Sequence, residues 1–298
     1  MRLRLGESVV ELEPGRPLVM GIVNAGPDSF SDRERTTTVD AQLARARRLV
    51  AEGADLVDVG AESGVTWSTI SEPQHEIERV VPVVTALVAE GTAVSVDTFK
   101  PEVARAAVEA GAVMINDVSG LRDPALADVA AASGAALVLT HTRAAPKHER
   151  FPDYAGDVAG DVERFLAARM RVARERGVGA EQLVLDPGPD FAKTPAETVA
   201  VLRALGRLRA LGRPLLLALS RKYFLGAVTG RPPDERLAAT LAAVAWAVDA
   251  GAALLRVHDV REVRDVLAVK AVLDGRAEVP SVDAADERLK WLRPPARG

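Results

Sequence analysis

The chain has 298 residues, 48% hydrophobic and 27% charged, enough apolar mass for one large α/β domain or two smaller ones. A formal net charge of −4 with 4% aromatics argues against a nucleic-acid surface, which carries a basic stripe with stacking rings, and favours small-molecule chemistry. The absence of cysteine excludes disulfides, thiolate metal sites and a thiol nucleophile, and suits a cytoplasmic setting; with no stretch near the roughly 20 apolar residues of a membrane span and no hydrophobic segment in the opening MRLRLGESVVELEPG, neither insertion nor export is expected.

In chain order, short aliphatic runs predict strands near 18–23, 56–59, 93–96, 113–116, 136–140, 183–185, 215–219 and 254–257. Helical patterns lie between them, among them 100–110 with Pro101 in its first turn, 158–176, 195–208 and 234–250. A shared junction precedes several strands, as in Glu52-Gly53-Ala54-Asp55, Ala110-Gly111-Ala112-Val113, Ser133-Gly134-Ala135-Ala136 and Ala250-Gly251-Ala252-Ala253, where a left-handed glycine ends a helix and a buried strand follows. Strand and helix alternating at this spacing means βαβ units and a parallel sheet. The expected fold is α/β, a single (β/α)8 TIM barrel over 1–298, with 143–156 a loop and 292–298 a flexible tail. An open doubly wound sheet is the alternative, but the glycine-rich dinucleotide fingerprint after the first strand is missing.

The runs close at Asn24, Asp58, Asp97, Asn116, His141, Asp186, Ser220-Arg221-Lys222 and Arg256-Val257-His258. In a parallel barrel these ends share one rim, so residues remote in sequence are expected to meet in one composite site. Arg256 and His258 alternate on the last strand and point the same way, and barrel phosphate sites favour the loops after strands seven and eight. They are the expected anion pair; the alternative for Arg256 is an ion pair with Asp259. Asn116 and Asp97 have the alternative of capping helices, and Asp186, before Pro187-Gly188, that of a turn residue. His141 reads as structural, and Lys147-His148-Glu149-Arg150 as a solvated charged stretch.

The first rim loop reads Asn24-Ala25-Gly26-Pro27-Asp28-Ser29-Phe30-Ser31-Asp32. With Ser95-Val96-Asp97-Thr98-Phe99-Lys100, Ile115-Asn116-Asp117-Val118-Ser119-Gly120, Asp186-Pro187-Gly188, Ser220-Arg221-Lys222 and Arg256-Val257-His258-Asp259, it resembles the dihydropteroate synthase family across roughly residues 18 to 273, in the same order. The resemblance implies a transferase of folate biosynthesis that joins 6-hydroxymethyl-7,8-dihydropterin pyrophosphate to p-aminobenzoate and releases pyrophosphate. It assigns pterin binding to Asp97, Asn116, Asp186 and Lys222, and p-aminobenzoate binding to Ser220, Phe191, Pro27 and Phe30. It adds Asn24 to Arg256 and His258 at the pyrophosphate, with Asn24 a ligand to Mg²⁺, and makes Lys222, Arg256, His258 and Asn24 the catalytic set. A pterin edge offers N–H donors and a carbonyl acceptor, so carboxylates, a carboxamide and an ammonium on rigid strand ends suit it. A short helix after Ser220 would offer its N-terminus to a carboxylate. The partners implied are small molecules and a second copy of the chain, with no nucleic acid and no membrane.

Two loops depart from the family pattern. Where Thr-Arg-Pro-Gly is usual after Gly-Glu-Ser, this chain has Gly64-Val65-Thr66-Trp67, and Arg33-Glu34-Arg35 stands where glycines follow the first-loop Asp. Arg33 or Arg35 replacing the missing charge is one reading, and a solvated charged face the other. Loss of one positioned donor costs about 2.7 to 4 kcal/mol, enough to separate a working synthase from a weak one. A diverged paralogue that binds a pterin-like ligand with little or no synthase activity is therefore the second reading. A folate-dependent methyltransferase is the third, disfavoured because it needs no clamp for pyrophosphate.

Overall fold

A hairpin not anticipated from the sequence opens the chain: β1 (Arg2–Leu5) pairs antiparallel with β2 (Ser8–Glu11). The computed structural model describes residues 1–24, 38–62, 70–148 and 151–281. After the hairpin the parallel strands are β3 (Leu18–Asn24), β4 (Leu56–Gly60), β5 (Val94–Asp97), β6 (Met114–Asp117), β7 (Ala136–Thr140), β8 (Leu183–Asp186), β9 (Leu216–Leu217) and β10 (Leu254–Val257). They form one eight-stranded sheet in the order β8-β7-β6-β5-β4-β3-β10-β9. Its ends approach through a parallel bridge between Leu185 and Leu215, with Leu185 N–H donating to Pro214 O at 2.9 Å. The fold is a (β/α)8 TIM barrel.

The helices wrapped around it are α1 (Val39–Ala51), α2 (Pro73–Ala89), α3 (Pro101–Glu109), α4 (Ala125–Ser133), α5 (Val158–Glu175), α6 (Pro195–Arg203), α7 (Leu205–Arg209), α8 (Tyr223–Thr229), α9 (Leu237–Asp249) and α10 (Val260–Leu273). Their boundaries follow local chemistry. Pro73, Pro101 and Pro195 occupy first turns, where a missing N–H costs nothing. Thr194 and Glu197 form a reciprocal capping box at the start of α6. The junction glycines take left-handed φ values of 102° at Gly53, 104° at Gly111, 74° at Gly134 and 89° at Gly251. The 195–208 pattern splits into α6 and α7 at Ala204 (φ −97°, ψ 12°), beside the weak helix former Gly206.

Two apolar layers result from the strand alternation. Val57, Val96, Ile115, Leu137, Leu185, Leu217 and Val257 face outward against the helices. Met20, Leu56, Met114, Val138, Val184, Leu216 and Leu254 fill the interior, and Leu3, Leu5 and Leu12 of the hairpin segment pack beneath them. The hairpin exists for that reason: an open barrel floor would leave those interior residues wet, at about 1.5–3 kcal/mol for each large side chain. Further along the same inward phase the residue type changes to Asp58, Asn116, Thr140, Asp186 and Arg256. The apolar plug thus ends in a polar mouth at the carboxyl ends of the strands. Among the described residues no helix is long and apolar enough to cross a membrane. Residues 292–298 lie outside the described residues.

Candidate active site at the barrel mouth

Asp58 is the hub. Buried on β4, its Oδ2 accepts Asn116 Nδ2 at 3.0 Å and Arg256 Nε at 2.6 Å. The other arm of the Arg256 guanidinium donates to Asp97 Oδ2 at 2.7 Å. Residues from β4, β5, β6 and β10 are thereby tied across the mouth, which joins Asn116, Asp97 and Arg256 as the sequence reading required. Asp58 itself had been seen only as the end of an aliphatic run. Its Oδ1 is buried with no hydrogen-bond partner among the described residues.

The balance of charge here is two carboxylates against one guanidinium. Burial pushes the Asp97 carboxyl up to about 7, Arg256 opposes the shift and the Asp58 charge adds to it. Burial works against the Arg256 cation too, but Asp58 and Asp97 outweigh it and hold its pKa above the usual guanidinium value. The alternative pairing of Arg256 with Asp259 does not occur: Asp259 Oδ1 accepts Arg221 at 2.7 Å instead.

Asp186 and Lys222 stand on the other side of the mouth. Asp186 Oδ1 accepts Gly188 N–H at 2.7 Å, so Asp186 does take the turn role, while its place on the inward face of β8 keeps it at the mouth. Burial raises its pKa, opposed by that hydrogen bond and by the charges of Lys222, Lys193 and Arg256. Lys222 has its pKa lowered by burial, opposed by Asp190 and Asp186, and its Nζ lies 4.5 Å from the Phe191 ring centroid. Half-buried Phe191 is thus a wall of the mouth rather than a core residue. The charges of Asp186, Arg256 and Asp97 all reach the Lys222 ammonium.

The loop carrying Phe191 is held by Lys193, which the sequence reading passed over. Its fully buried Nζ donates to the carbonyls of Gly188 (2.8 Å), Phe191 (3.0 Å) and His141 (3.3 Å), and burial pushes the amine down to about 7. At the turn Gly188 has φ 65°, and a Cβ there would overlap the His141 carbonyl oxygen. Gly188→Ala is therefore expected to cost at least about 2 kcal/mol, from left-handed strain plus the clash. Urea denaturation checks this; an unchanged midpoint would show that the turn relaxes freely.

Near the last strand the expectations change in part. Ser220, assigned to p-aminobenzoate, has its Oγ 2.8 Å from His258 Nδ1 and accepts His258 N–H at 3.3 Å. The hydroxyl proton is left for Nδ1, so the ring carries its own proton on Nε2. Burial, then the charges of Arg221, Arg256, Arg45 and Lys222, hold the His258 pKa well below its usual value. His258 is therefore neutral, with Nε2–H its ring donor, and Ser220 orients it. β9 is short, pairing with β10 only through Leu216 and Leu217. The N-terminus of α8, expected to await a substrate carboxylate, already holds Asp190, whose Oδ2 accepts Phe224 N–H at 3.3 Å. Asn24 ends β3 beside β4, in register with Gly60. Pro27 and Phe30, assigned to p-aminobenzoate, lie outside the described residues, as do Arg33, Arg35, Val65 and Trp67.

A family model described as Pterin binding enzyme matches residues 20–258. The chain belongs to the pterin binding enzyme family. It is 44% identical over 260 residues to the dihydropteroate synthase of Mycobacterium leprae, spanning 84% of this chain and 91% of that one. Among solved structures it is similar to a Xanthomonas albilineans dihydropteroate synthase with 4-aminobenzoic acid (TM-score 0.84, 44% identity, 94% of this chain and 100% of that one). A Burkholderia cenocepacia dihydropteroate synthase complexed with 7,8-dihydropteroate matches at TM-score 0.83 and 42% identity, over 92% of this chain and 96% of that one.

Within this family member the second rim loop is anchored by a buried network. Lys100 Nζ donates to Glu62 Oε2 (2.5 Å), Glu76 Oε2 (2.8 Å) and Ser71 O (2.7 Å), and so joins residues on either side of that loop. Lys147 Nζ stands 3.6 Å from Glu62 Oε1 with its side chain nearly buried, so it is part of the same network and not a solvated charge. The sequence cue was slight: a lysine immediately before a helix-opening proline-glutamate step looks like surface. His141 is structural, as expected. It points outward between β7 and α5, with Nε2 3.0 Å from Asp161 Oδ2 and its ring edge-on to Phe165, and burial pushes its pKa down to about 3.

Proposed function

We propose that the chain acts as a dihydropteroate synthase, condensing 6-hydroxymethyl-7,8-dihydropterin pyrophosphate with p-aminobenzoate. The observation that carries this is Lys222: an ammonium beside Asp186 and Phe191 whose Nζ donates no hydrogen bond to any described residue. An unsatisfied recessed cation wants a ligand acceptor. Around it Asp97, Asn116 and Asp186 offer the acceptors that a pterin edge needs, and Lys222 donates to the ring's carbonyl and N5 side.

In the reaction the aniline nitrogen attacks the exocyclic carbon, the C–N bond forms as the C–O bond breaks, and the electron pair leaves on the pyrophosphate oxygen. The neutral amine is already nucleophilic, so no strong base is needed, and the anilinium proton passes to water. Negative charge grows on the leaving oxygen, where Asn24 and the His258 Nε2–H are the donors, with Arg256 adding field from its place between Asp58 and Asp97. Phe191 and the first loop's Pro27 and Phe30 are the apolar side of the aromatic acid pocket, and Ser220 contributes through His258.

The donor set is compatible with Mg²⁺. Among the described residues no group of three His, Asp or Glu could hold a metal unaided. Mg²⁺ keeps waters and takes its other oxygens from phosphates, and with Asp58 and Asp97 committed to Arg256, the Asn24 carboxamide is the protein ligand. When bound it supplies charge to the departing diphosphate. The deciding experiment mixes purified protein, Mg²⁺, the dihydropterin pyrophosphate and p-aminobenzoate and follows pyrophosphate release, with pterin titrated in parallel. Tight pterin binding without turnover selects the second reading, a non-synthase paralogue, which Gly64-Val65-Thr66-Trp67 favours by removing a positioned arginine.

A pH dependence follows for the pterin. With Asp97 titrating at about 7, its acceptor oxygens are fully available above that pH and are lost as pH falls through it. Pterin affinity should drop severalfold between pH 8 and 6, in fluorescence titrations, and Asp97→Asn should flatten the profile; an unchanged slope in that variant would assign the titration elsewhere.

A homodimer in the cytoplasm completes the proposal. Val244 and Val248 of α9 pack inward, while Val228, Trp246, Val269 and Leu273 on α8, α9 and α10 are exposed, an apolar surface that supports pairing of two copies.

A further inference from the structure

A separate cleft of about 200 Å³ opens on the flank of the barrel, lined by Ser119, Arg122, Thr142, Arg143, Phe165 and Arg169. It lies outside the barrel wall: Phe165 belongs to the layer between strands and helices, whereas Asn116 and Asp186 of the mouth point inward. Phe165 forms its apolar floor, with the Arg169 and Arg143 guanidinium carbons 4.9 and 5.4 Å from the ring centroid. Stacking on one ring holds both planar groups in place.

The cations are poorly matched by anions. Arg143 is bound by both oxygens of Asp161, at 2.9 and 2.5 Å. Arg122 makes one side-chain hydrogen bond, to the Arg143 carbonyl at 3.3 Å, and no ion pair among the described residues. Arg169 makes neither a hydrogen bond nor an ion pair among them, and the acid whose charge acts on it, Asp117, is already used by the N–H groups of Ser119 (2.7 Å) and Leu121 (2.5 Å). Burial and the like charges of Arg122 and Arg143 depress the Arg169 pKa and outweigh the opposing charge of Asp117.

We propose that this cleft is a second anion site, taking a compact phosphoryl dianion on Arg122 and Arg169 with Arg143 fixed behind them. Two guanidinium forks without carboxylates match an ion of charge −2 that offers several oxygens, which a monocarboxylate does not. The volume is below the roughly 300–1,000 Å³ of sites for larger ligands, so phosphate or diphosphate fits and a nucleotide does not. The anion is either free or the terminal group of a small phosphate ester, and the two share this chemistry.

The test is arginine footprinting on the intact chain. Phenylglyoxal modification of Arg122 and Arg169, read by peptide mass, should slow at least about tenfold with saturating inorganic phosphate and be unaffected by sodium chloride at equal ionic strength. Protection by glycerol phosphate as well assigns the site to phosphate esters; protection by phosphate and diphosphate alone assigns it to the free ion. In calorimetry, Arg122→Gln/Arg169→Gln should lose one phosphate site or weaken it about ten- to hundredfold, while pterin binding at the mouth is kept. Equal modification rates with and without every phosphate compound would overturn the proposal, as would identical phosphate binding by the double variant.

Discussion

Lys222→Met is expected to lower kcat for pyrophosphate release by about 100- to 1,000-fold and to weaken pterin binding, with the fold intact. The ammonium is recessed, flanked by Asp186 and Asp190 and stacked on Phe191, so in the free protein its charge is matched by field and not by a direct hydrogen bond. Methionine keeps the length and the apolar contact with Phe191 and removes only the donor. Stability should change little or even rise, because a cation that burial disfavours is gone. Lys222→Arg should not restore the rate, since a wide fork does not replace a point donor. Steady-state kinetics with pterin titration reads both effects. Wild-type kcat in the methionine variant would remove Lys222 from the chemistry and the argument built on it.

Arg256→Met attacks stability instead. Asp58 and Asp97 both lean on this one guanidinium, at 2.6 and 2.7 Å, and its loss leaves two carboxylates facing each other in a recessed mouth. Removing one partner of a buried pair costs about 3–5 kcal/mol. The penalty should depend on pH with a definite sign. Asp97 already titrates at about 7 in the folded protein against the lower value of an unfolded aspartate, so the folded state binds a proton that the unfolded state has released, and stability falls as pH rises through that window. Without Arg256 the opposition to this shift disappears and the fall should steepen. Urea midpoints at pH 5.5 and 8 measure it, with a larger loss expected at pH 8. Adding Asp58→Asn to Arg256→Met should recover part of the stability. A variant equally stable at both pH values would mean that the carboxylates escape into water when the arginine is gone.

The barrel was legible because its signals are local. Aliphatic runs mark the strands, glycine junctions at Gly53, Gly111, Gly134 and Gly251 mark where β4, β6, β7 and β10 begin, and the strands lie within one residue of the expected bounds except β9, which ends two residues early. Strand-end residues of a parallel barrel meet by topology, so Asp97, Asn116, Asp186, Lys222 and Arg256 could be brought to one rim from their order alone. Which partner each takes was not legible. Arg256 bonds Asp58 and Asp97 rather than the adjacent Asp259, and Ser220 bonds His258, because those choices depend on which strands lie side by side across the closed sheet.

By itself the amino-acid sequence determined the alternation of strand and helix, the parallel sheet and the identity of the groups at its carboxyl edge, all carried by periodicity and by residues a few positions apart. Only the tertiary structure decided the hairpin floor under Met20 and Leu56, the Lys100–Glu62–Lys147 anchor, the three-carbonyl clasp of Lys193 and the cation cluster over Phe165. The reason is range. Hydrogen bonds and ion pairs act over about 3 Å, so their partners are chosen by proximity in space, and groups 40 or 200 residues apart along the chain become neighbours only once the sheet has closed.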